Sequence, residues 1–470
     1  MTLRPITRVQ VLCAVAALAF VSSVQADTRS DSVSYGVDAG MGEVDNVTLV
    51  PTGKVSQTIA TADADFAVKQ QSRLFDDSVK GQFSYFDYLE TAFSSQLIGR
   101  LDGTADLALV PERILWSLQD DFGQASLSPF AAQTPANLEN INSLSTGPEF
   151  NFRLGGANFL TAKARYTRVQ YQTSPFNSNR YLGSLELGFP LSARSTVAFN
   201  VNSERVLFEN TVVNSDFDRS SAYGSYEIHG ARTDLTAKLG VTRVIQDGTV
   251  SSGPLAKLDL TRQVSPASQA TLSAGRDITD ASASFANLQG GAISGITTAQ
   301  AAVTSSVYTL TYAQLSWRYN RNRTTFGLSA RWEKNSYENA SLVNVVGIGQ
   351  PVANYSTDAA ALDNTRRGAE FTFEHKITRA LGAQLLGSYY DTDYANGNFA
   401  ADQGSSRYAD SRIGAGLNFH AGRGLDIRLR YDHIARVISG AGSGTGYREN
   451  SVFLTIGYRP RSPSEAPASP

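Results

Sequence analysis

Apolar and polar residues alternate one by one in short stretches that recur along most of the chain. Near the C-terminus, Val452, Leu454 and Ile456 fall on one face of such a stretch. Ser451 and Thr455 fall on its other face. A period of two is the geometry of a β-strand with one apolar face, and no long stretch after the N-terminal region has the helical period. The chain is therefore predicted to be all-β.

The number and length of these stretches favour a membrane barrel over a soluble sandwich. We count roughly 20 of them, each near the 9–11 residues that a tilted strand needs to cross a bilayer. The predicted fold is a transmembrane antiparallel up-and-down β-barrel of about 18–20 strands. An open sheet edge is not tolerated in lipid, so Ser32–Met41 is expected to pair with Ser451–Tyr458 and close the barrel.

The connections between these stretches alternate in length. The longer segments are Glu209–Phe217, Gln246–Gly253, Asp277–Ser306, Asn335–Asp363, Asp391–Gly404 and Ser439–Gly446. Short turns lie between them, and this asymmetry is typical of outer-membrane barrels, which have short periplasmic turns and long external loops. An even number of strands then leaves both termini in the periplasm. Asp277–Ser306 and Asn335–Asp363 carry apolar residues, and one of the two is expected to fold inward and narrow the lumen by its bulk.

The N-terminus has the features of a secretory signal peptide. Arg4 and Arg8 precede an apolar run, and small residues lead to a cleavage site after Ala26. The predicted division is a signal peptide at 1–26, a barrel at 27–460 and a disordered periplasmic tail at the proline-rich residues 461–470. Cys13, the only cysteine, belongs to the signal peptide, so the mature chain is expected to form no disulfide or thiolate site.

Several kinds of function are disfavoured by what the sequence contains. A formal net charge of −2 at pH 7 excludes nucleic-acid binding through bulk positive charge. The four histidines lie in separate strands without a second ligand at metal spacing, so no metal site is predicted. No nucleophile elbow, phosphate loop or metalloprotease helix occurs, and neither catalytic residues nor a cofactor is expected.

The polar faces of the strands should line the lumen. A barrel this wide cannot be filled by side chains alone, so a channel or a loop-plugged lumen is expected. The predicted lumen-lining residues are Lys163, Arg165, Lys238, Lys257, Asp259, Arg318, Arg331, Glu370, Glu374, Arg412, Arg428 and Arg430. Neither sign of charge dominates this set.

The arginines on two neighbouring strands leave two interpretations open. Arg412, Arg428 and Arg430 could form a basic ladder, and arginine rings select anions in other pores. Alternatively, nearby carboxylates neutralise them. The candidate carboxylates are Glu370, Glu374 and Asp426.

Aromatic residues near strand ends are predicted to anchor the barrel at the membrane surfaces. They are Trp116, Tyr166, Tyr171, Tyr181, Trp317, Tyr319, Trp332, Tyr389 and Tyr458.

Two segments resemble a known family. Tyr35-Gly36-Val37 followed by Asp45-Asn46-Val47-Thr48-Leu49-Val50-Pro51, and then Leu107-Ala108-Leu109-Val110-Pro111-Glu112-Arg113-Ile114-Leu115-Trp116, resemble the β-barrel porins associated with bacterial exopolysaccharide and exosortase (PEP-CTERM) systems. The resemblance implies an outer-membrane barrel that serves polysaccharide export, with polysaccharide and periplasmic export components as partners. It implies no catalytic residues.

The function predicted from these features is passage of a hydrophilic solute across the outer membrane of a Gram-negative bacterium, without covalent chemistry. The solute is a polysaccharide if the resemblance holds, and a general small-solute porin is the alternative. A secreted soluble β-protein that binds or cleaves glycans is the alternative of another class. Outer-membrane lipid is an expected partner, and the sequence leaves the oligomeric state open.

Overall fold

The computed structural model describes most of the chain. The described residues are 28–90, 92–127, 131–212, 214–289, 305–337, 343–344, 356–357, 362–394, 405–422, 424–442 and 446–460. The predicted signal peptide and the predicted C-terminal tail lie outside these residues, as does most of the segment Asn335–Asp363.

Twenty strands make up one sheet. They are β1 (Thr28–Val44), β2 (Gln57–Ser72), β3 (Phe75–Tyr88), β4 (Gln96–Val110), β5 (Ile114–Ser126), β6 (Leu138–Gly155), β7 (Asn158–Tyr171), β8 (Ser178–Ser192), β9 (Ser195–Phe208), β10 (Phe217–His229), β11 (Thr233–Gln246), β12 (Thr249–Ser265), β13 (Ser268–Asp280), β14 (Val307–Arg321), β15 (Thr324–Tyr337), β16 (Asn364–Lys376), β17 (Leu381–Tyr394), β18 (Ser405–His420), β19 (Leu425–Gly442) and β20 (Tyr447–Tyr458). A 3-10 turn, Pro135–Asn137, precedes β6, and a helix, α1 (Ala281–Gln289), follows β13. Val343–Asn344 and Ser356–Thr357 form a separate two-stranded ladder.

The sheet is a closed antiparallel barrel, which confirms the predicted fold class. Each strand pairs with the next along the chain, and β1 pairs with β20. The paired part of β1 is Val37–Val44, opposite Ser451–Tyr458, so the closing pair begins further along β1 than Ser32. The predicted pairing of these two strands is confirmed, and the structure adds its register, which alternation alone cannot give because it marks the face of a strand but not how far the strand slides along its neighbour.

Connections are short at one end of the barrel and mostly longer at the other. We call these the turn end and the loop end; β1 begins and β20 ends at the turn end. One predicted long segment, Gln246–Gly253, is wrong, because β11 and β12 continue to a tight turn at Asp247 and Gly248. Both residues have positive φ, 50° and 75°, as a two-residue type I′ hairpin turn requires. Asp-Gly is a preferred sequence for that turn.

The apolar residues point away from the barrel axis. On β20, Leu454 and Ile456 are 51% and 53% exposed, whereas Ser451 is 6% exposed. The same alternation runs around the sheet, and we call the two sides the outer face and the inner face. A soluble sandwich would bury its apolar side chains between two sheets, so the arrangement is that of a barrel whose outside meets an apolar solvent. No helix in the described part of the chain is long and apolar enough to cross a membrane.

Candidate functional site

Strand β13 leaves the barrel wall before it ends. Its pairing with β12 stops at Ala256 and Arg276, although β12 continues to pair with β11 up to Thr249. Above Arg276, β13 pairs only with β14 among the described residues. We call the detached region, residues 277–289 and 305–310, the inner arm.

Apolar side chains fasten the inner arm to the inside of the barrel. Ile278 and Val307 are almost completely buried and belong to one cluster with wall residues from β9, β10 and β11. The wall members are Val206, Phe208, Phe217 and Val244. By alternation Ile278 would be an outer-face residue, so its packing with inner-face residues of β9, β10 and β11 requires the strand to bend inward.

The helix carries the arm further around the inner surface. Phe285 of α1 packs in a cluster with residues of β5, β6, β7 and the connection after β7. Its partners are Ala125, Ile141, Val169, Tyr171 and Phe176. Tyr171, predicted to lie in an outer aromatic belt, is 7% exposed and lies inside the barrel in this cluster. The prediction for Tyr171 is wrong. An aromatic residue near a strand end gives the same sequence pattern whether it lies on the outer face at the membrane surface or on the inner face beneath the inner arm.

A buried ion-pair network fixes the start of α1 to the barrel wall. The Arg180 guanidinium of β8 donates to both carboxylate oxygens of Asp280, at 3.0 and 2.5 Å, and to the hydroxyl of Ser282. Glu204 lies 3.5 Å from Arg180 and also binds Arg219. The side chains of Arg180 and Asp280 are 5% and 3% exposed. Such a pair is well compensated as it stands, and loss of one partner would leave a buried charge.

A second connection reaches into the loop end from the other side. Arg436 of β19 donates a 3.0 Å hydrogen bond to the carbonyl oxygen of Ala131, which lies between β5 and β6. Asp410 binds the same guanidinium at 2.6 and 3.0 Å, and the ring of Tyr408 lies 4.2 Å from it. The side chain of Arg436 is 4% exposed. The loop end is therefore narrowed by two tethered segments.

The inner wall encloses a cavity of about 550 Å³ bounded by β1–β5 and β17–β20. Asp38 sits on its wall and receives hydrogen bonds from Arg459 at 3.0 and 2.7 Å. Arg428 lies 3.2 Å from the same carboxylate. Further polar residues line the cavity. They are Asp63, Asp65, Gln82, Arg100, Gln124, Gln384, Arg412, Arg430 and Asp432.

The three arginines of the proposed ladder do not act alike. Arg412 and Arg430 share one carboxylate, Asp432, at 2.9 and 2.6 Å. Arg428 pairs with Asp38 and is 4.0 Å from Asp426. Of the three carboxylates considered from sequence, only Asp426 lies beside an arginine of the ladder. Glu370 instead accepts from Tyr390, and Glu374 accepts from Gln384.

The remaining residues predicted to line the lumen lie on the other strands. Lys163 and Arg165 approach Glu149 at 3.0 and 3.7 Å. Lys257 binds Asp277 at 2.9 Å, which links the wall to the inner arm.

Others are held by neighbours on the same wall. Lys238 lies opposite Lys257 in register, 5.7 Å from the ring of Tyr223. Arg331 binds Glu333 at 2.6 Å. Asp259 and Arg318 are opposite Ser273 and Gln269. That these twelve residues line a path for a solute stays a prediction.

The residues that tether the inner arm were not anticipated. Arg180 and Asp280 are 100 residues apart in sequence, and neither lies in a local motif. Each histidine that the structure describes is held by ordinary polar partners, as His433 is by Asn450 at 2.8 Å. No group of three or more potential ligands suited to a metal occurs within the described ranges.

No protein-family model matches the chain, and no curated protein does either. Solved structures share the barrel shape at low identity. The ferric enterobactin receptor PfeA of Pseudomonas aeruginosa, in a point-mutant form, is 11% identical with a TM-score of 0.46, covering 91% of this chain and 80% of that chain. The FrpB iron transporter of Neisseria meningitidis is 11% identical with a TM-score of 0.44, covering 91% and 82%. The siderophore receptor PirA of Pseudomonas aeruginosa is 12% identical with a TM-score of 0.43, covering 91% and 81%.

Proposed function

We propose that this protein spans the bacterial outer membrane and passes a hydrophilic solute through its lumen. The observation that carries the proposal is the division of one closed barrel into an exposed apolar outer face and an inner face of paired charges around a cavity. Apolar residues outside stabilise the barrel in lipid, and polar groups inside replace the water contacts of a passing solute. The turn end, with both described termini, then faces the periplasm.

The two tethered segments at the loop end limit the size of the solute that can pass. With the inner arm and Ala131 in place, passage favours small hydrophilic molecules. A polysaccharide chain would need the arm displaced, and export of such a chain rests on the family resemblance of the first two segments. A soluble glycan-binding protein fits the outer face poorly, because long rows of exposed leucine, valine and phenylalanine would aggregate in water.

Two measurements test the proposal. The purified protein, refolded into planar bilayers, should give discrete conductance steps, and fractionation should recover it only with detergent. A strain lacking the gene should take up small hydrophilic solutes more slowly if the small-solute form is right. Normal uptake with loss of surface polysaccharide would favour polymer export, and absence of conductance together with detergent-free solubility would reject the membrane-channel function.

A further inference from the structure

Five strands that run toward the loop end, every second strand from β7 to β15, share a pattern on their outer faces. Each of β7, β9, β11, β13 and β15 presents a series of mostly apolar residues and then one basic residue. On β11 the series is Leu235, Ala237, Leu239, Val241 and then Arg243. We call these five basic residues the basic row. They are Arg168, Arg205, Arg243, Arg276 and Lys334.

Three members of the basic row are exposed and have no partner among the residues that the structure describes. Arg243, Arg276 and Lys334 are exposed, and no described residue forms a hydrogen bond or ion pair with them. The other two members, at the β7 and β9 end of the row, are different: Arg168 binds Glu209 at 2.5 Å, and Arg205 lies 3.9 Å from Asp218. The unpaired charge is therefore concentrated on β11, β13 and β15.

The register places the unpaired charges beside a break in the wall. Arg276 and Lys334 both lie opposite Thr311 of β14, so they are two strands, about 10 Å, apart. Directly above Arg276, β13 bends inward and β12 loses its partner. The outer surface therefore has a gap between β12 and β13, and the cationic groups lie just below this gap.

On the strands of the other half that run toward the loop end, the corresponding positions are acidic or histidine, and Asp391 of β17 is paired there with the outer-face arginines Arg367 and Arg407. The first polar outer-face residue beyond the apolar series is Glu43 on β1, Asp87 on β3, Asp120 on β5, Asp391 on β17 and His433 on β19. A row that served only to mark the membrane boundary would be basic all around the barrel. The basic charge without a described partner on β11, β13 and β15 instead indicates a surface for an anionic partner on that side.

We propose that Arg243, Arg276 and Lys334 bind the phosphate groups of anionic membrane lipids in the leaflet at the loop end. This inference rests on the proposed membrane location. Directly beyond the apolar series, an outward-facing guanidinium or ammonium group sits at the depth of lipid headgroups, and its alkyl stem packs along the apolar surface. Each such charge strengthens the binding of anionic lipid about fivefold.

The test measures retained lipid on the purified barrel by native mass spectrometry. The protein is equilibrated in detergent with phosphatidylglycerol or with the zwitterionic phosphatidylethanolamine. The triple variant R243Q, R276Q and K334Q should bind phosphatidylglycerol about ten- to a hundredfold more weakly, with phosphatidylethanolamine binding unchanged. The matched control, E43Q with D87N on the opposite side, should bind phosphatidylglycerol at least as well as the native chain.

Other outcomes would overturn the inference. Equal phosphatidylglycerol binding by the triple variant would reject the basic row as a lipid site. If inorganic phosphate at millimolar concentration displaced the lipid completely, the site would be one for free phosphate and not for a lipid. Single-channel conductance of the same variants separates the two proposals: native conductance with lost lipid binding supports the row, whereas native lipid binding without conductance would contradict only the channel function.

Discussion

Arg180 shows how one residue can decide whether the lumen is narrowed. It is buried against Asp280, Ser282 and Glu204, groups that come from the inner arm and from the neighbouring wall strand. Transfer of this guanidinium from water is costly, and the bidentate pair with Asp280 offsets that cost only while both partners are present. The arm is therefore coupled to the wall by a contact that a single substitution can break.

Arg180→Met should release the arm. It leaves the Asp280 carboxylate buried without its partner, a change of about 3–5 kcal/mol. Single-channel conductance should rise, and amide exchange in α1 should speed up. The control is Arg153→Met, which breaks a pair with Glu112 whose side chains are 83% and 75% exposed, and such surface pairs contribute little. Unchanged conductance and exchange in Arg180→Met would contradict the tether.

The two faces of β20 give a second prediction at this scale. Leu454 is on the outer face and Thr455 lines the cavity. Leu454→Arg should lower the free energy of unfolding in lipid vesicles by about 2–4 kcal/mol, because the charge would enter hydrocarbon. Thr455→Arg should cost much less, since water reaches the inner face. Urea titration of both variants checks this, and equal costs would mean that the faces are assigned wrongly.

At the scale of elements, the inner arm is the departure from a regular barrel. A strand that stays in the wall alternates its residues between lipid and lumen. Above Arg276, Ile278 and Asp280 still occupy outer-face positions by alternation, but both are buried inside the protein. The arm is stabilised by Phe285 and Ile278 and closes part of the loop end.

Deletion of Ser282–Thr304 should raise single-channel conductance while the barrel stays folded, because the helix and its apolar anchor are removed. Phe285→Ser should give part of the same increase, since a polar group would then occupy the cluster around Ile141 and Val169. Val212→Ser is the control, as Val212 is an apolar loop residue that is 92% exposed. Native conductance after the deletion would show that the arm does not restrict the pore.

The elements differ in how far the sequence could predict them. Strand number and faces follow from the period of two, because lipid on one side and water on the other impose a residue-by-residue rule. The turn at Asp247-Gly248 also has a local signal, although we predicted a longer loop there. The bend of β13 has no local signal, because Ile278 is apolar whether it meets lipid or packs against the inner face of β9–β11. Arg180 and Asp280 likewise meet only through the closed shape of the barrel.

At the scale of the whole molecule, closure and charge balance are properties of no single strand. The seam between β1 and β20 joins the two ends of the described chain, and all positions around the ring depend on its register. The charges on the inner face in turn determine the electrostatic potential along the path of a passing ion. The inner-face arginines are matched by carboxylates such as Asp38 and Asp432, so the summed potential should be small.

The seam register predicts which cysteine pair can form a disulfide. Met41 lies directly opposite Leu454, within reach of a disulfide. Met41→Cys with Leu454→Cys should crosslink on mild oxidation, detected as a mobility change of the unfolded protein in gel electrophoresis that reductant reverses. Val37→Cys with Leu454→Cys should not crosslink, because Val37 lies opposite Tyr458. The reverse pattern would overturn the observed seam.

Charge balance along the lumen predicts a weakly selective channel. In a salt gradient the native protein should show a reversal potential near zero, because the charges that line the cavity nearly cancel, with five arginines against four aspartates. Asp432→Asn removes the one carboxylate that Arg412 and Arg430 share, so both guanidinium groups would then attract anions in a confined space. The reversal potential should shift toward that of chloride, with a smaller shift at high ionic strength because salt screens the charges. Asp218→Asn, a change on the outer face, is the control and should leave the reversal potential unchanged. A native-like reversal potential in Asp432→Asn would mean that solutes do not pass through the cavity these arginines line.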